Sequence, residues 1–471
     1  MKALMQWIDE RFPLSSVVRE HITEYYAPKN FNFWYFFGSL ATLVLVLQIV
    51  TGILLAMNYK PDADLAFASV EYIMRDVWGG WFVRYMHSTG ASMFFVVIYL
   101  HMFRALMYGS YRSPRELIWI IGMVIYLAMM VSAFLGYLLP WGQMSYWGAQ
   151  VIVNLFETLP IIGGPLSEWI RGDYVISDIT LNRFYALHYL VPFILAGLVF
   201  LHLVALHKTG SNNPDGIEIK KGPKGNRWSD SAPKDGIPFH PYYTVKDLLG
   251  AVVFMAIFLA IVFFMPEMFG FFIEKPNFEP ANPLKTPEHI APVWYFTPYY
   301  AILRAIPSFA GTQVWGVLAM FISIALFFVL PWLDRSPVRS VRYKGPTTRL
   351  ALGLFVITFL VLGWLGIQPP TTSLTIMSQF FTLLYMLFFL LFPCFSSAGQ
   401  PLPLFAKGLL AISIFSVLAT IVYWWFLWSG GPTFTQKISY TALTVLVLYL
   451  LGIKPLIKPE LTKTVPERLT K

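Results

Sequence analysis

The chain has 471 residues, of which 57% are hydrophobic and 13% are charged, and its mean hydropathy is +0.60. A soluble protein carries about 25% charged residues, so this composition excludes a water-soluble protein and indicates that most of the chain lies in lipid. The net charge of +9 does not indicate nucleic-acid binding, because basic residues also accumulate on the cytoplasmic side of membrane proteins.

The N-terminal 34 residues alternate apolar and charged side chains, for example in the run WIDERF at 7–12. Such alternation is typical of a helix that lies along a membrane surface. We therefore expect residues 1–34 to form an amphipathic segment on the cytoplasmic side of the membrane.

Ten apolar stretches follow, each close to the roughly 20 residues that a helix needs to cross a bilayer. With the N-terminus inside, 25 of the 34 Lys and Arg residues fall on the cytoplasmic side, as the positive-inside rule requires. The sequence predicts an all-α integral membrane protein with both termini in the cytoplasm. The spans lie near residues 35–57, 82–107, 117–139, 184–206, 247–265, 314–333, 350–367, 376–395, 404–428 and 438–457.

Four of the eight histidines lie inside spans: His87 and His101 in the second, and His188 and His202 in the fourth. Both pairs are separated by 14 residues, which in a helix is a rise of about 21 Å and a return to within about 40° of the same face. A single intramembrane histidine is more often a packing residue or part of a proton path. Because imidazole is an axial ligand of haem iron, four histidines at matched spacing predict two non-covalent b-type haems stacked across the membrane.

Glycines repeat the same spacing in the neighbouring spans. Gly38 and Gly52 in the first span, and Gly122 and Gly136 in the third, are also 14 residues apart. A glycine lets a flat macrocycle approach the backbone, although small residues in membrane helices also serve as plain helix contacts. The shared period favours contact with haem.

Three arginines are candidates for binding the haem propionates. Arg84 and Arg104 each lie three residues from a histidine, toward opposite membrane surfaces, and Arg183 lies five residues before His188. A guanidinium can form charge-assisted hydrogen bonds with a propionate. The alternative is that these side chains extend to the membrane interface.

The single cysteine, Cys394, excludes an internal disulfide, a CxxCH haem attachment and a cysteine-ligated iron–sulfur cluster in this chain. Any redox partner that carries such a group must be a separate subunit.

Several runs resemble cytochrome b of the cytochrome bc complex, respiratory complex III, over about residues 5–395. They are RYMH at 84–87, GASMFF at 90–95, GYLLPWGQM at 136–144, LNRF at 181–184, TGSNNP at 209–214 and HPYY at 240–243. The resemblance implies a low-potential haem held by His87 and His188 near the outside, and a high-potential haem held by His101 and His202 near the inside. It also implies a homodimeric complex with a Rieske iron–sulfur protein, a c-type cytochrome, quinone and membrane lipid as partners.

In this family, quinol is oxidised at an outer site, one electron leaves through the Rieske protein, and the other crosses both haems to reduce quinone at an inner site (the Q cycle). The resemblance assigns His207, Ser211, Lys246 and Asp247 to the inner site, where a histidine and an aspartate can donate the protons that quinone reduction consumes. Lys220, Lys221 and Lys224 are expected only to form a solvated loop.

For the outer quinol site, the resemblance points to the loop after the third span and to the segment 292–295. The family motif is Pro-Glu-Trp-Tyr, whereas this chain has Val293 in place of the proton-accepting glutamate. We expect Glu288, or Tyr137 or His289 with ordered water, to take over that role. For Glu288 the alternative of an exposed loop carboxylate is slightly favoured. The residues assigned to this site are Tyr137, Gly142, Met144, 146–150, Pro292, Trp294 and Tyr295.

The predicted organisation is an amphipathic segment (1–34), a dihaem four-helix bundle (35–209), a cytoplasmic loop (210–246), a C-terminal cytochrome b domain (247–395) and an extra hairpin with a tail (396–471). The run GGPT at 430–433 echoes QPPT at 368–371, so the hairpin is either a duplication or an added lipid-facing or subunit-contacting element. The run KPELTK at 458–463 resembles the ends of bacterial members, which favours a bacterial inner membrane.

Two other classes of protein remain as alternatives. A dihaem membrane anchor of another quinone-linked dehydrogenase explains the histidines, but not the segments at 209–214 and 292–295. A transporter explains the length, but it predicts carboxylates along a path through the membrane. The four spans of the predicted bundle contain none.

Overall fold

The computed structural model describes residues 2–19, 23–219, 235–309 and 311–470. Lys220, Lys221 and Lys224 lie outside the described residues, as does the middle of the predicted 210–246 loop. The helices are α1 (Lys2–Asp9), α2 (Leu14–Val18), α3 (Phe36–Ala56), α4 (Ala66–Arg75), α5 (Gly80–Tyr108), α6 (Glu116–Leu138), α7 (Gln143–Glu157), α8 (Gly163–Arg171), α9 (Asp178–Thr209), α10 (Thr244–Phe264), α11 (Thr297–Ala305), α12 (Val314–Leu333), α13 (Pro346–Ile367), α14 (Thr372–Leu390), α15 (Phe392–Ser396), α16 (Leu404–Val422), α17 (Phe434–Leu448) and α18 (Lys454–Ile457).

Ten helical segments in these ranges are long and apolar enough to cross a membrane, which confirms the predicted number. They centre on α3, α5, α6, α9, α10, α12, α13, α14, α16 and α17. In lipid a helix is stable because every backbone polar group is satisfied within it. The fourth span begins earlier than predicted, since Thr180 accepts a hydrogen bond from the Ser177 N–H at 3.1 Å and caps the helix outside the apolar stretch.

The four helices α3, α5, α6 and α9 form a bundle in which α3 packs along α5 and α6 packs along α9. Helix α10 covers α3 and α5. One face of α9 is exposed and apolar, with Leu187 and Phe200 among its outward side chains, as expected for a helix in contact with lipid. The bundle therefore encloses an interior bounded by two pairs of helices.

The second half of the chain packs around the short helix α11, which contacts α12, α13 and α14. Aromatic side chains fill this region, and the rings of Phe355 and Phe388 stack at 4.2 Å. The Trp119 indole N–H donates to the Phe327 carbonyl at 2.7 Å and joins α6 of the bundle to α12. The two halves thus share one apolar core.

The connection between α6 and α9 forms the helices α7 and α8, where the sequence analysis expects a loop. Both are too short to cross a bilayer. A search for apolar spans misses both helices, because polar side chains alternate with the apolar ones that face the protein.

The described part of the N-terminal segment forms the short helices α1 and α2 and, further along, a strand. Strand β1 (Tyr26–Pro28) pairs antiparallel with β2 (Gly236–Pro238), with Ala27 opposite Ile237. This pairing fixes Tyr25 and its neighbours against the segment that leads into α10.

The C-terminal hairpin α16–α17 packs on α14, and the buried Trp424 donates its indole N–H to Gln379 at 2.7 Å. Beyond α18 the tail returns across the protein. Glu460 accepts hydrogen bonds from the N–H and hydroxyl of Thr347 at 2.7 and 2.6 Å, which caps the start of α13. The tail ends against the loops that surround the start of α10.

Candidate functional site

The four predicted glycines each face one of the four predicted histidines across a helix pair. We call the end of the bundle with His87 and His188 the outer end, and the end with His101 and His202 the inner end. A Cβ added to Gly136 would lie 2.8 Å from His188 Nδ1. Cβ atoms added to Gly52, Gly122 and Gly38 would lie 3.2, 3.3 and 3.4 Å from Cε1 of His87, His202 and His101.

The ring centroids of His87 and His188 are 6.1 Å apart. Metal–imidazole bonds are about 2 Å long, so two imidazoles on opposite sides of one metal have centroids roughly 6 Å apart. In the part of the chain that the structure describes, no group of three or more His, Cys, Asp and Glu side chains converges on a metal position. Two opposed imidazoles fit a haem iron, because the macrocycle supplies its other ligands.

Hydrogen bonds at Nδ1 orient both histidines at the outer end. His87 Nδ1 lies 2.9 Å from the Thr51 hydroxyl, which itself donates to the Leu47 carbonyl at 2.7 Å and therefore accepts from Nδ1–H. His188 Nδ1 lies 2.8 Å from the Ser132 carbonyl. With Nδ1 protonated, Nε2 is left free to bind a metal, as such neighbouring hydrogen bonds do at metal sites.

The arginines differ in their surroundings. Arg84 lines a cavity of about 130 Å³ together with His87 and His188, and Arg104 lines a larger cavity beside His101. Among the residues that the structure describes, neither has a carboxylate within ion-pair distance. Both positions therefore suit a haem propionate, whereas Arg183 donates to the Trp169 carbonyl at 2.6 Å and does not line the outer cavity.

The inner end opens into a cavity of about 790 Å³. It brings the predicted ligands His101 and His202 together with all four residues that the resemblance assigns to the inner quinone site. Those four are His207, Ser211, Lys246 and Asp247.

Tyr25 belongs to this inner cavity, although the sequence analysis does not identify it. Its ring stacks on His207 at 4.8 Å, nearly parallel, and its hydroxyl lies 3.0 Å from Ser211 Oγ. The two segments are 186 residues apart in the sequence. The pairing of β1 with β2 and a hydrogen bond of 2.9 Å from Asn30 to Asp215 hold the N-terminal segment in this position, so no local signal could have shown the contact.

Hydrogen bonds hold the 277–285 segment against the start of α7. Asn277 Oδ1 accepts from the Ser145 N–H at 2.8 Å and from its hydroxyl at 2.9 Å. A Cβ at Gly142 would overlap Asn277, so only glycine permits this approach. Gln143 reinforces the junction by accepting from the Asn282 N–H at 2.7 Å, and Met144 beside it is buried.

Segment 292–295 docks on α5. The Trp294 indole donates to Ser92 Oγ at 3.1 Å, the Tyr295 ring stacks on Phe95 at 4.0 Å, and the Tyr295 carbonyl accepts from the Tyr99 hydroxyl at 2.6 Å. Val293 is 4% exposed within the apolar core. The segment therefore offers no carboxylate at the position where the family motif has one.

The three proposed substitutes for that carboxylate lie in different surroundings. Glu288 is exposed, and His289 Nε2 contacts the Ile367 carbonyl at 2.8 Å. Tyr137 points to a residue that the sequence analysis does not consider, since its hydroxyl donates to Glu274 Oε2 at 2.7 Å.

Comparison with known proteins identifies the family of the chain. The family model described as Cytochrome b/b6/petB matches residues 22–210, and the one described as Cytochrome b(C-terminal)/b6/petD matches residues 280–386. Cytochrome b of Allochromatium vinosum is 69% identical over 399 residues, covering 85% of this chain and 96% of that protein. The chain belongs to the cytochrome b family.

More distant members of the cytochrome b family align over nearly the same region. Cytochrome b of Rickettsia bellii is 51% identical over 403 residues, covering 85% of this chain and 96% of that protein. Cytochrome b of Arabidopsis thaliana is 46% identical over 391 residues, covering 83% and 94%. A chain of the solved structure "Hyperthermophilic respiratory Complex III" superposes with a TM-score of 0.76 at 38% identity, covering 83% of this chain and 98% of its own length.

Membership of the cytochrome b family establishes the role of this chain. It is a multi-pass membrane oxidoreductase subunit that binds haem b and transfers electrons across the membrane in the respiratory chain, and the Q cycle is the general function of its family. The resemblance noted in the sequence is thereby confirmed.

Proposed function

We propose that the chain binds two b-type haems, one between His87 and His188 at the outer end and one between His101 and His202 at the inner end. The observation that carries this proposal is the register of the bundle, in which each histidine of α5 and α9 faces a glycine of α3 or α6. When bound, each haem takes up and releases one electron. Arg84 and Arg104 are placed to bind propionates.

We propose that quinone is reduced in the inner cavity. His207 and Asp247 line it from different helices and supply protons, while Lys246 and Ser211 add polar contacts for a quinone carbonyl. The stacking of Tyr25 on His207 holds the imidazole at one wall of the cavity. The cavity also contains His202, so quinone would bind beside the inner haem.

Quinol oxidation is assigned to the outer end, around Tyr137, Gly142, Met144, Pro292, Trp294 and Tyr295. The tight junction between α7 and the 277–285 segment supports this assignment, because it holds the start of α7, with Gly142 and Met144, in one position. The contribution of Glu288 stays a prediction, and so does that of Arg183.

We further propose that a Rieske iron–sulfur protein and a c-type cytochrome take the other electron, that the complex is a homodimer surrounded by lipid, and that it lies in a bacterial inner membrane with both termini cytoplasmic. The single buried cysteine supports separate redox subunits. The predicted domains (1–34, 35–209, 210–246, 247–395 and 396–471) are proposed as units of this assembly.

A redox titration of the α-band in purified membranes tests the haem assignment. Wild type should show two b-type components, and His87→Leu and His202→Leu should each lose or grossly perturb a different one. His240→Leu removes an exposed histidine and serves as the matched control with both components intact. A single component that neither substitution affects contradicts the proposal.

A further inference from the structure

We propose that Glu274, acting through the Tyr137 hydroxyl, accepts one of the two protons released when quinol is oxidised at the outer site. This inference rests on the proposed quinol oxidation and names the residue that replaces the carboxylate missing at Val293. Because it acts through the Tyr137 hydroxyl, Glu274 is a positioning residue for proton transfer.

The first observation is the partner of the carboxylate. Glu274 is half-buried, and it accepts a hydrogen bond of 2.7 Å from the Tyr137 hydroxyl. Within the described ranges no Lys, Arg or His side chain lies within ion-pair distance of it. A carboxylate kept only for stability would be expected to pair with a cation or remain in water; here it is held against a neutral hydroxyl.

The second observation is that the carboxylate is fixed in place. Glu274 lies three residues before Asn277, which is bound to both the N–H and the hydroxyl of Ser145 at the start of α7. The Asn277 N–H in turn donates to the Glu274 carbonyl at 2.9 Å. Glu274 is therefore carried on a short turn whose Asn277 end is bound to the start of α7.

The third observation is the position of its partner within the outer site. The Tyr137 ring lies against α7, where a Cβ added to Gly148 would be 3.4 Å from it. Tyr295 is close enough to Glu274 for the two to interact electrostatically. The carboxylate thus contacts Tyr137 and lies near Tyr295, two of the residues assigned to the quinol pocket.

The protonation chemistry is suited to the task. Burial raises the pKa of Glu274 to about 7, although the hydrogen bond from Tyr137 opposes this shift. The titratable groups that face it are Tyr137 and Tyr295, both neutral near pH 7. A proton acceptor works best when its pKa lies near the operating pH, and Val293 has no atom that can accept a proton.

The step balances as follows. Quinol loses two electrons and two protons to become quinone. One electron and one proton leave toward the iron–sulfur partner, and the second electron goes to the nearer haem. Tyr137 receives the second proton while it passes its own hydroxyl proton to Glu274, so the carboxylate becomes a neutral acid and Tyr137 is restored.

The test is the rate of haem b reduction by quinol in the purified complex, measured between about pH 5.5 and pH 8.5 in single-turnover mixing. In wild type the rate should rise with pH through about 7, because the acid form of Glu274 cannot accept a proton. Glu274→Gln should lower the rate at pH 7.5 at least about tenfold and remove this rise, since a general base contributes roughly 10²- to 10⁴-fold and water can replace part of it.

Matched variants make the result specific. Glu267→Gln changes an exposed carboxylate seven residues away and should leave both the rate and the pH profile unchanged. Tyr137→Phe should resemble Glu274→Gln, and Glu274→Asp should keep the pH rise with a reduced rate. A spectroscopic readout independent of turnover is the infrared band of a protonated carboxyl group in the redox difference spectrum, which should vanish in Glu274→Gln.

The outcomes separate the inference from the function on which it rests. If wild type reduces haem b with quinol and Glu274→Gln does so with the same rate and pH profile, the inference is wrong and the proposed function stands. If Glu288→Gln alone removes the pH rise, the acceptor is Glu288. If wild type itself shows no reduction by quinol, the proposed outer reaction fails. Unchanged haem spectra of each variant verify that the complex has folded.

Discussion

The two ends of the four-helix bundle share one sequence pattern and differ in structure. At the outer end both histidines have Nδ1 fixed by hydrogen bonds within the bundle, and the cavity between them is about 130 Å³. At the inner end His101 and His202 border a cavity of about 790 Å³. Arg104 lies 3.3 Å from His101 Nδ1 there, and its guanidinium lies over the Tyr35 ring.

The 14-residue spacing therefore determines where each histidine points. Residues outside this spacing determine the hydrogen bonds and the cavity around each imidazole. A histidine whose Nδ1–H is held by an acceptor is a more basic ligand, and a tight cavity keeps out water. The open inner end suits the proposed entry of a quinone beside His202. Three substitutions test this contrast, from the largest expected effect to the smallest.

The largest effect is expected from Gly136→Ala compared with Gly38→Ala. The new methyl group at position 136 would overlap the His188 ring, whereas at position 38 it would make ordinary contact with His101. Overpacking costs roughly 1–3 kcal/mol, equivalent to about 5- to 150-fold weaker haem retention. Haem content and a redox titration should show loss of the outer component in Gly136→Ala and two components in Gly38→Ala. Equal losses would contradict the contrast between the two ends.

A smaller effect is expected from Thr51→Val, which removes the acceptor of His87 Nδ1–H. Loss of such a partner lowers metal affinity about 10- to 100-fold, and here we expect the lower limit because His188 keeps its own acceptor. The outer component should titrate at a more positive potential, since a less basic ligand stabilises ferric iron less.

Thr42→Val is the matched control for Thr51→Val, because the Thr42 hydroxyl donates to the Gly38 carbonyl in its own helix. It should leave the outer component unchanged. If both variants shift the outer component equally, the Thr51 contact does not tune that histidine.

The smallest effect is expected from Thr470→Val in the tail at the inner end. The Thr470 hydroxyl donates to the buried Asp215 at 2.8 Å, and its loss should cost about 1 kcal/mol, or roughly 2 °C or less in the thermal midpoint of the complex. Burial raises the pKa of Asp215, but hydrogen bonds from Thr470, Tyr343 and Arg342 outweigh it and lower the pKa overall.

The sign of the pH dependence follows from that lowered pKa. The bonds to Asp215 stabilise the folded state fully above the usual carboxyl pKa, and this contribution is lost as the pH falls through the lowered value. The difference between Thr470→Val and wild type should therefore be the same at pH 7 and at pH 6. A difference that disappears between these two values would show that Asp215 is not the group involved.

Much of the bundle could be predicted from the sequence because its signals are periodic and local. The spacing of His87 and His101 and that of Gly38 and Gly52 fall in single helices, and the geometry of a helix is the same wherever it occurs. The register of glycines against histidines follows from these spacings. The ten spans are confirmed for the same reason.

The rest of the site depends on contacts between distant segments. Tyr25 reaches His207 because the N-terminal segment contacts distant parts of the chain, including β2 and Asp215. Glu274 lies 19 residues before Val293, so a search for a substitute near the motif finds the exposed Glu288 first. The helices α7 and α8 escape a search for spans because they are short and amphipathic.

One local echo in the sequence has a structural counterpart. Thr371 and Thr433, the last residues of QPPT and GGPT, each cap a helix by accepting a hydrogen bond from the backbone, at the start of α14 and of α17. The shared motif is accounted for by helix capping alone. Whether the hairpin is a duplication stays a prediction.

Asp235 is bound by residues from both ends of the sequence, since Lys29 and Arg468 each reach it at 3.0 Å. A chain is synthesised from its N-terminus, so Lys29 is made more than four hundred residues before Arg468. The two ion pairs with Asp235 can therefore both be present only after residue 468 has been synthesised, when all ten spans already precede it in the chain.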